Sequence, residues 1–224
     1  MKKSLLALLV ILVFHGSGHS ADKIRIGFPD LAAPFVPLAI ADKKGFFQEE
    51  EIQAEFIRIN PAIALQALVS DEIDYYTVLG PGVAAAIRGA PVGSPPLDFL
   101  GKKLGFVVLA RAHELFGFPV SGLIASAKKI KERPDEIKRA IKAGIKANRY
   151  IRQNRDGTFP VMAEWLMIDR EMAVATYDSS VRTYSDDLSL PDGGLRLLID
   201  EAKRVAKVNR EVSLNEVADL SILR

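Results

Sequence analysis

Three short segments in the first third of the chain alternate between apolar and polar positions, as half-buried β-strands do. They are KIRIGF at residues 23–28, IQAEFIRI at 52–59 and IDYYTVL at 73–79. Each is followed by a segment whose composition and spacing are typical of a short helix, and these segments predict helices over 35–43, from Pro61 onward and over 82–88. This βαβαβα order predicts an α/β fold with a parallel sheet and right-handed crossovers.

The second of these helices has the clearest boundary signal. Asn60 suits the N-cap position, and Pro61 suits the first helical position, where its missing N–H costs nothing. An apolar stripe along this helix is predicted from Leu65, Leu68 and Val69.

The rest of the chain adds two predicted strands, over 105–110 and 120–125, and is then mostly helical. A helix opened by Pro134 carries isoleucines at four-residue steps (Ile137, Ile141 and Ile145) beside an adjoining row of Ala140, Gly144, Ala147 and Ile151. One or two further helices follow. The last part contains an amphipathic helix with Leu195, Leu198, Ile199, Ala202 and Val205, and then a capping box of Ser213 and Glu216.

The amino terminus is predicted to be a secretory signal peptide over residues 1–20. Two lysines precede an apolar run of about ten residues, which is shorter than the roughly 20 residues a membrane span needs. Small and polar residues then lead to a cleavage site before Ala21. We therefore expect the mature protein to be exported.

Composition narrows the chemistry. The chain has no cysteine, and removal of Lys2 and Lys3 with the leader would take the formal charge from +2 to 0. A neutral protein has no global field for nucleic acid or for an anionic membrane surface, so neither is expected as a partner. The predicted leader also contains His15 and His19, so the mature chain keeps only His113. No catalytic residue, metal or cofactor is predicted.

Ligands of open parallel sheets bind at the carboxyl ends of the strands, where helices begin. Three such junctions occur within the first 92 residues, and the N–H groups of each helix start favour an anionic or hydrogen-bond-accepting ligand. Glycine, proline and asparagine in these loops could also serve only to turn the chain. The candidate ligand-binding residues are Phe28, Asp30, Pro34, Phe35, Asn60, Pro61, Ala62, Leu79, Gly80, Pro81, Gly82 and Ser94.

Other conspicuous residues are interpreted structurally. Tyr75 and Tyr76 must point to opposite faces of one strand, so at most one can line a pocket, and Trp165 is assigned to a core stripe. The segment QEEEI at 48–52 is interpreted as a solvated helix end, and Lys138, Lys142 and Lys146 as a solvated helix face. No lysine of a phosphate-binding loop follows GPG at 80–82, which is not a dinucleotide fingerprint either.

Taken together, these segments resemble periplasmic solute-binding proteins of ABC importers. The branch they resemble is the nitrate, sulfonate and taurine group, which includes relatives that bind thiamine-pyrimidine precursors. The resemblance rests on the early P…A…GFF helix, on ALVSDEID and on AAAIRGAPV, with Asp71 where the family usually has glycine. It implies a type II periplasmic-binding-protein fold, in which two α/β lobes clamp a solute for delivery to an inner-membrane permease. The expected solute is small, polar, organic and anionic, and the protein is expected to be a monomer.

One departure from the family concerns the second lobe. Directly after RGAPV the chain continues GSPPLDFLGKKLGF, which is similar to a late part of that lobe, so we expect most of the lobe to be missing. The predicted division is a first lobe at 21–92, a second-lobe remnant at 93–119, and a return strand with C-terminal helices at 120–224. Weak binding follows from this interpretation. One alternative is a non-functional, internally deleted paralogue. A second, implied by the resemblance, is an enzyme of thiamine-pyrimidine synthesis; the single histidine and the lack of cysteine argue against this enzyme.

Overall fold

The computed structural model describes residues 20–80, 121–188 and 192–218. Its strands are β1 (Asp22–Phe28), β2 (Ile52–Arg58), β3 (Tyr75–Val78) and β4 (Ser121–Ile124). Helices α1 (Val36–Lys43), α2 (Phe46–Glu49) and α3 (Pro61–Val69) lie between the first three strands, with a 3-10 turn at Ala33–Phe35 before α1. After β4 come α4 (Ala127–Glu132), α5 (Pro134–Gln153), α6 (Arg155–Leu166), α7 (Arg170–Ser180), a 3-10 turn at Val181–Thr183, α8 (Asp192–Ala206) and α9 (Leu214–Val217).

The strands form one sheet in the order β2-β1-β3-β4. β1 is parallel to both of its neighbours, with Phe28 opposite Arg58 and Gly27 opposite Tyr76, so the predicted parallel sheet is confirmed for these three strands. β4 runs antiparallel to β3 and pairs Ser121 with Val78. The helix predicted at 82–88 and the strand predicted at 105–110 lie outside the described residues.

The main core lies on the face of the sheet that carries Ile24, Ile26 and Tyr75. Helices α1, α5, α6 and α7 cover this face with buried residues of their own, which include Val36, Ile40, Ile151, Met162 and Tyr177. Helices α5, α6 and α7 therefore complete the first α/β unit, whereas α8 and α9 belong to a separate hydrophobic cluster around Leu195, Leu198, Ile199 and Ala202. Among the described residues, no helix is long and apolar enough to cross a membrane.

The row of side chains that α5 buries is not the row of isoleucines at four-residue steps that the sequence pattern shows. Ile137 is buried, but Ile141 and Ile145 are only partly buried, whereas Ala140, Ala143, Ala147 and Ile151 are fully enclosed. Small side chains on the buried row let α5 approach α1 closely, and the larger isoleucines flank that contact. Ala140, Ala147 and Ile151 of the adjoining row noted in the sequence therefore lie in the principal contact row, whereas Ala143 is buried in place of the predicted Gly144, which is only partly buried.

The opposite face of the sheet is covered by α3. Ala64, Ala67 and Leu68 of this helix pack against Ile73 and Tyr76. The predicted stripe is correct for Leu68 and wrong for Val69, whose side chain is 78% exposed, because Ala64 and Ala67 provide the contact instead. Tyr75 and Tyr76 point to opposite faces, as predicted, and both are completely buried.

The lack of a side chain at Gly27 lets Ile73, Ile59 and Tyr76 pack closely against β1 on this second face. A Cβ at this position would lie 2.7 Å from Ile73 Cδ1, 3.0 Å from Ile59 Cγ2 and 3.3 Å from Tyr76 Cδ2. We expect Gly27→Ala to lower the free energy of unfolding by about 1–3 kcal/mol through overpacking. Urea denaturation should show this loss. Gly193→Ala, where the new Cβ would meet nothing within 4 Å, is the control, and equal effects of the two variants would contradict the packing described.

An ion-pair network joins the amino-terminal edge of the sheet to α4 and α5; its members are Asp22, Arg25, Asp74, Lys129, Arg133, Glu136 and Arg139. Lys129 Nζ lies 2.9 Å from Asp74 Oδ1 and 2.7 Å from Glu136 Oε1. The Tyr75 hydroxyl also donates to Glu136 Oε1, at 2.7 Å. These contacts lie at the edge opposite the predicted ligand site and serve to attach the helical part to the sheet.

A smaller contact corrects two interpretations of solvated residues. Lys138 and Lys142 are exposed as predicted, but Lys146 lies 2.8 Å from Glu49 Oε2 and 2.7 Å from Glu50 Oε1. The Glu50 side chain is only 13% exposed. The helix end at 48–52 is therefore bound to α5 and not simply solvated, because α2 and α5 are neighbours in the fold.

The network predicts acid sensitivity through Asp74. Burial alone would raise the pKa of Asp74, but hydrogen bonds from the Arg25 N–H and from Lys129 outweigh burial and hold the pKa below its ordinary value of 3.8. Asp74 therefore contributes stability that is fully present above that ordinary value and is lost as pH falls through the lower folded-state pKa. Denaturation midpoints measured from pH 6 down to pH 2 should fall less steeply for Asp74→Asn than for the unmodified protein. Parallel pH profiles would rule out this contribution.

Candidate ligand-binding site

The carboxyl ends of β1, β2 and β3 meet at one edge of the sheet, here called the carboxyl edge. Their common direction follows from the parallel pairing, and the Ile59 N–H donates to the Phe28 carbonyl at 2.9 Å. β4 begins at the same edge, where Ser121 pairs with Val78. The three predicted junctions are thus brought to one edge.

At the first junction, two aromatic candidates turn into the core. Phe28 and Phe35 are each 5% exposed. The Phe28 ring lies 5.1 Å from the Trp165 ring, centroid to centroid, so the predicted packing role of Trp165 is confirmed although its side chain is only partly buried. Pro34 lies in the 3-10 turn and is partly exposed. Of this junction's candidates, Asp30 offers the polar side chain.

At the second junction, the helix start is already satisfied internally. Asn60 Oδ1 accepts from the Ala62 N–H at 2.9 Å, as its predicted N-cap role requires. The Asn60 carbonyl accepts from the N–H groups of Ile63 and Ala64, both at 3.1 Å, and Pro61 has no N–H. The first turn of α3 therefore has no free donor for an anion, contrary to the reasoning from unpaired helix-start amides.

At the third junction, the two described candidates behave differently. Leu79 packs with the C-terminal cluster of Leu195, Leu198, Ile199 and Ala202 and lies against Gly122. A Cβ on Gly80 would meet no atom of the described residues within 4 Å. The remaining candidates, Pro81, Gly82 and Ser94, and also His113, lie outside the described residues.

Four buried side-chain polar atoms of the described residues lack a hydrogen-bond partner, and they include Asn148 Oδ1 and Nε1 of Trp165, whose ring packs on Phe28. Asp30 Oδ1 and the Tyr76 hydroxyl are both buried and have no hydrogen-bond partner among the described residues. Burial, with a smaller contribution from the Asp30 carboxylate, raises the pKa of Tyr76 to about 12, so the phenol stays neutral. The sequence nominated Asp30 but treated Tyr76 mainly as core. The glycine opposite Tyr76 in β1, Gly27, indicates close packing of the tyrosine ring and gave no sign of an unsatisfied hydroxyl.

Other features of the described residues give weaker support for a binding site. No group of three or more histidine, cysteine, aspartate or glutamate side chains is placed to hold a metal ion within the described ranges. A surface depression of about 250 Å³ lies beside α6, lined by Leu31, Ala39, Lys43, Val161, Glu164, Trp165 and Met167. Its lining is mostly apolar, and the Lys43–Glu164 ion pair, at 2.7 Å, crosses it.

No protein-family model and no curated protein sequence matches the chain. Solved structures do match. A protein from Bordetella bronchiseptica RB50 superposes with a TM-score of 0.70 at 16% identity over 90% of this chain and 95% of that one. The periplasmic aliphatic sulphonate binding protein SsuA from Escherichia coli gives 0.62 at 10% identity, over 88% and 92% of the two chains. The ligand-binding component of an ABC-type import system from Staphylococcus aureus, with zinc bound, gives 0.61 at 12% identity over 90% and 98%.

These similarities show the fold. The chain has the type II periplasmic-binding-protein fold, and the resemblance inferred from its sequence motifs is confirmed at that level. Most of these matches are binding proteins, but the desulfurization enzyme DSZB shares the fold, with a TM-score of 0.50 at 13% identity over 90% of this chain and 97% of that one. The fold is therefore compatible with both binding and catalysis.

Proposed function

We propose that this chain is the solute-binding component of an ABC importer, which captures a small polar organic solute with an acidic group and delivers it unaltered to an inner-membrane permease. The observation that carries the proposal is the convergence of the carboxyl ends of three parallel strands on one edge, where a Cβ on Gly80 would meet no atom of the described residues within 4 Å. Structures of the same fold include a sulphonate binding protein and an ABC import component, which supports this class of solute.

A ligand screen tests the proposal directly. Calorimetry and thermal unfolding should be measured with alkanesulfonates, taurine, nitrate, aromatic acids and aminopyrimidines. We expect one chemical class to bind with one molecule per chain and to raise the melting temperature, because a ligand that binds only the folded state stabilises it by mass action. If no class binds, the proposal fails.

A matched pair of variants locates the site. Gly80→Leu places a bulky side chain in the open space of the carboxyl edge and should reduce affinity by at least about tenfold, since it competes with ligand for volume. Gly193→Leu is the control, because its Cβ would likewise meet nothing within 4 Å and it lies on α8. Equal affinities for the two variants would place the site elsewhere.

Release of the solute unchanged separates binding from catalysis. A bound solute recovered after prolonged incubation should give the same mass and NMR spectrum as the starting compound. A modified product would support the alternative of an enzyme, which the shared fold of DSZB keeps open.

Location and domain division belong to the same proposal. We infer that the protein is exported to the periplasm with cleavage before Ala21 and that the mature protein is a monomer. We also infer that residues 93–119 are a remnant of the second lobe between the first lobe and the C-terminal helices. Mass spectrometry of a periplasmic fraction should give an amino terminus at Ala21, and sedimentation should give one chain per particle.

Resequencing the gene would distinguish a true internal deletion from an assembly error, and an intact longer reading frame would remove the remnant from the proposal.

A further inference from the structure

The three methionines that lie outside the predicted leader differ sharply in their exposure to solvent. All three occur between positions 162 and 172, on α6 and α7 or between them. Met162 is completely buried in the main core, and Met172 is partly buried in the first turn of α7. Met167, directly after α6, is 80% exposed. Of these three sulfur-bearing side chains, Met167 is therefore the one that a solute can reach in the folded protein.

The backbone at Met167 has a conformation that favours a different residue. Its φ is 56°, in the left-handed region, and it ends α6 in a Schellman arrangement. The Met167 N–H donates to the Glu164 carbonyl at 3.3 Å, and the Ile168 N–H donates to the Ala163 carbonyl at 3.0 Å. Glycine is the usual residue at this position, because a Cβ is disfavoured in the left-handed region. A long side chain that is held in solvent at such a position invites a functional explanation.

The sulfur chemistry of the chain is limited to methionine. Cysteine and methionine are the two residues whose sulfur a peroxide oxidises, and the chain contains no cysteine. Susceptibility to oxidation follows exposure, because the oxidant must approach the sulfur atom directly. A peroxide that meets the folded protein therefore has one well exposed sulfur among the described residues, at Met167.

We propose that Met167 is a reversible oxidation site, at which hydrogen peroxide converts the thioether of the folded protein to a sulfoxide. The sulfur forms a bond to one peroxide oxygen while the O–O bond breaks. The proton on the transferred oxygen passes to the departing hydroxide, which leaves as water, so two electrons move from sulfur to peroxide. In the reverse step a dithiol of a methionine sulfoxide reductase supplies two electrons, becomes a disulfide and releases the oxygen as water.

The position of Met167 makes this modification compatible with the fold. A sulfoxide is polar, and at an exposed position it stays hydrated and removes no core contact. The same change at Met162 would place a polar oxygen inside the main core, where it would lack water. Exposure also lets a reductase reach the sulfoxide without unfolding the chain. The assignment is independent of the proposed function, since neither step involves a solute of the importer.

Timed oxidation of the folded, full-length protein with hydrogen peroxide tests the assignment. Trypsin should release one peptide at 156–170, which contains both Met162 and Met167, and another at 171–182, which contains Met172. Fragmentation of the first peptide in the mass spectrometer shows which of its residues carries the added oxygen. We expect Met167 to be oxidised about tenfold or more faster than Met162, because a buried sulfur reacts only during local opening.

Matched controls separate the effect of the fold from intrinsic reactivity. In urea, where the chain is unfolded, the three methionines should be oxidised at similar rates. Met167→Leu should abolish the fast reaction, whereas Met172→Leu should retain it. The oxidised protein should keep the melting temperature of the unmodified protein. Reductases specific for the two sulfoxide epimers should together restore the thioether while the protein remains folded.

A further variant tests the argument from the backbone. Met167→Gly should leave the melting temperature unchanged or raised, because glycine adopts the left-handed conformation without a steric cost. A lower melting temperature would show that the methionine side chain stabilises the fold and would remove this support for a functional role.

Three results would overturn the proposal. The first is an oxygen that appears earliest on Met162, Met172 or Trp165 of the folded protein. The second is a fast reaction that persists in Met167→Leu. The third is a sulfoxide that the two reductases together reduce only after the chain is unfolded, since this would show that the modification is not reversible in the folded state.

Discussion

Replacement of Glu136 by alanine is expected to lower the free energy of unfolding by about 3–5 kcal/mol, the usual cost of removing one partner from a buried ion pair. The Glu136 side chain is only 3% exposed and lies between the Lys129 ammonium, the Arg133 guanidinium and the Tyr75 hydroxyl. Its removal leaves Lys129, whose side chain is 15% exposed, with Asp74 alone. It also leaves the Tyr75 hydroxyl without an acceptor. Burial, assisted by this carboxylate, raises the pKa of Tyr75 well above its usual range, so the hydroxyl stays a donor.

Urea denaturation followed by the fluorescence of Trp165, the only tryptophan, measures this loss. Glu132→Ala is the matched control, because Glu132 is the exposed last residue of α4. A loss below about 1 kcal/mol in Glu136→Ala would show that the network does not attach α5 to the sheet as described.

Truncation of Ile151 to alanine should cost about 2–5 kcal/mol, because it empties a fully buried volume where α5 meets the main core. Ile145→Ala removes the same atoms from the same helix, but Ile145 is only partly buried, and the expected loss is about 1 kcal/mol or less. The two variants therefore test which row of α5 faces the sheet. The reverse order of stabilities would restore the isoleucine row as the contact row.

The sequence predicted the first α/β unit well, because its signals are local. Alternation in residues 23–28 and the Asn60-Pro61 boundary depend only on neighbouring residues, and both are confirmed. The contact row of α5 was harder to rank, since alanines and isoleucines both follow helical spacing and only the presence of α1 makes the small row the buried one. The ion pair of Lys146 with Glu49 and Glu50 joins residues about 96 positions apart, a distance that no local pattern reports.

The convergence of the three junctions on one edge was predicted from the sequence and is confirmed, whereas the binding of ligand at that edge stays a prediction. The rule for carboxyl ends of parallel strands located the edge and nominated Asp30. The expectation of free helix-start amides took no account of the cap, in which Asn60 accepts from the amides of its own helix. Tyr76 could not be distinguished from the other tyrosines by sequence, because only the folded arrangement shows which buried hydroxyl lacks a partner among the described residues.

The antiparallel pairing of β3 with β4 has a consequence for how this fold can change. Parallel neighbours need a long crossover between them, but antiparallel neighbours can be joined by a hairpin of two residues. Since Val78 and Ser121 are paired, the sheet sets no minimum length on the chain that connects them. We therefore expect insertions and deletions between these two positions to leave the pairing of β3 with β4 unchanged, so that the fold can gain or lose a whole module at its carboxyl edge and keep its core.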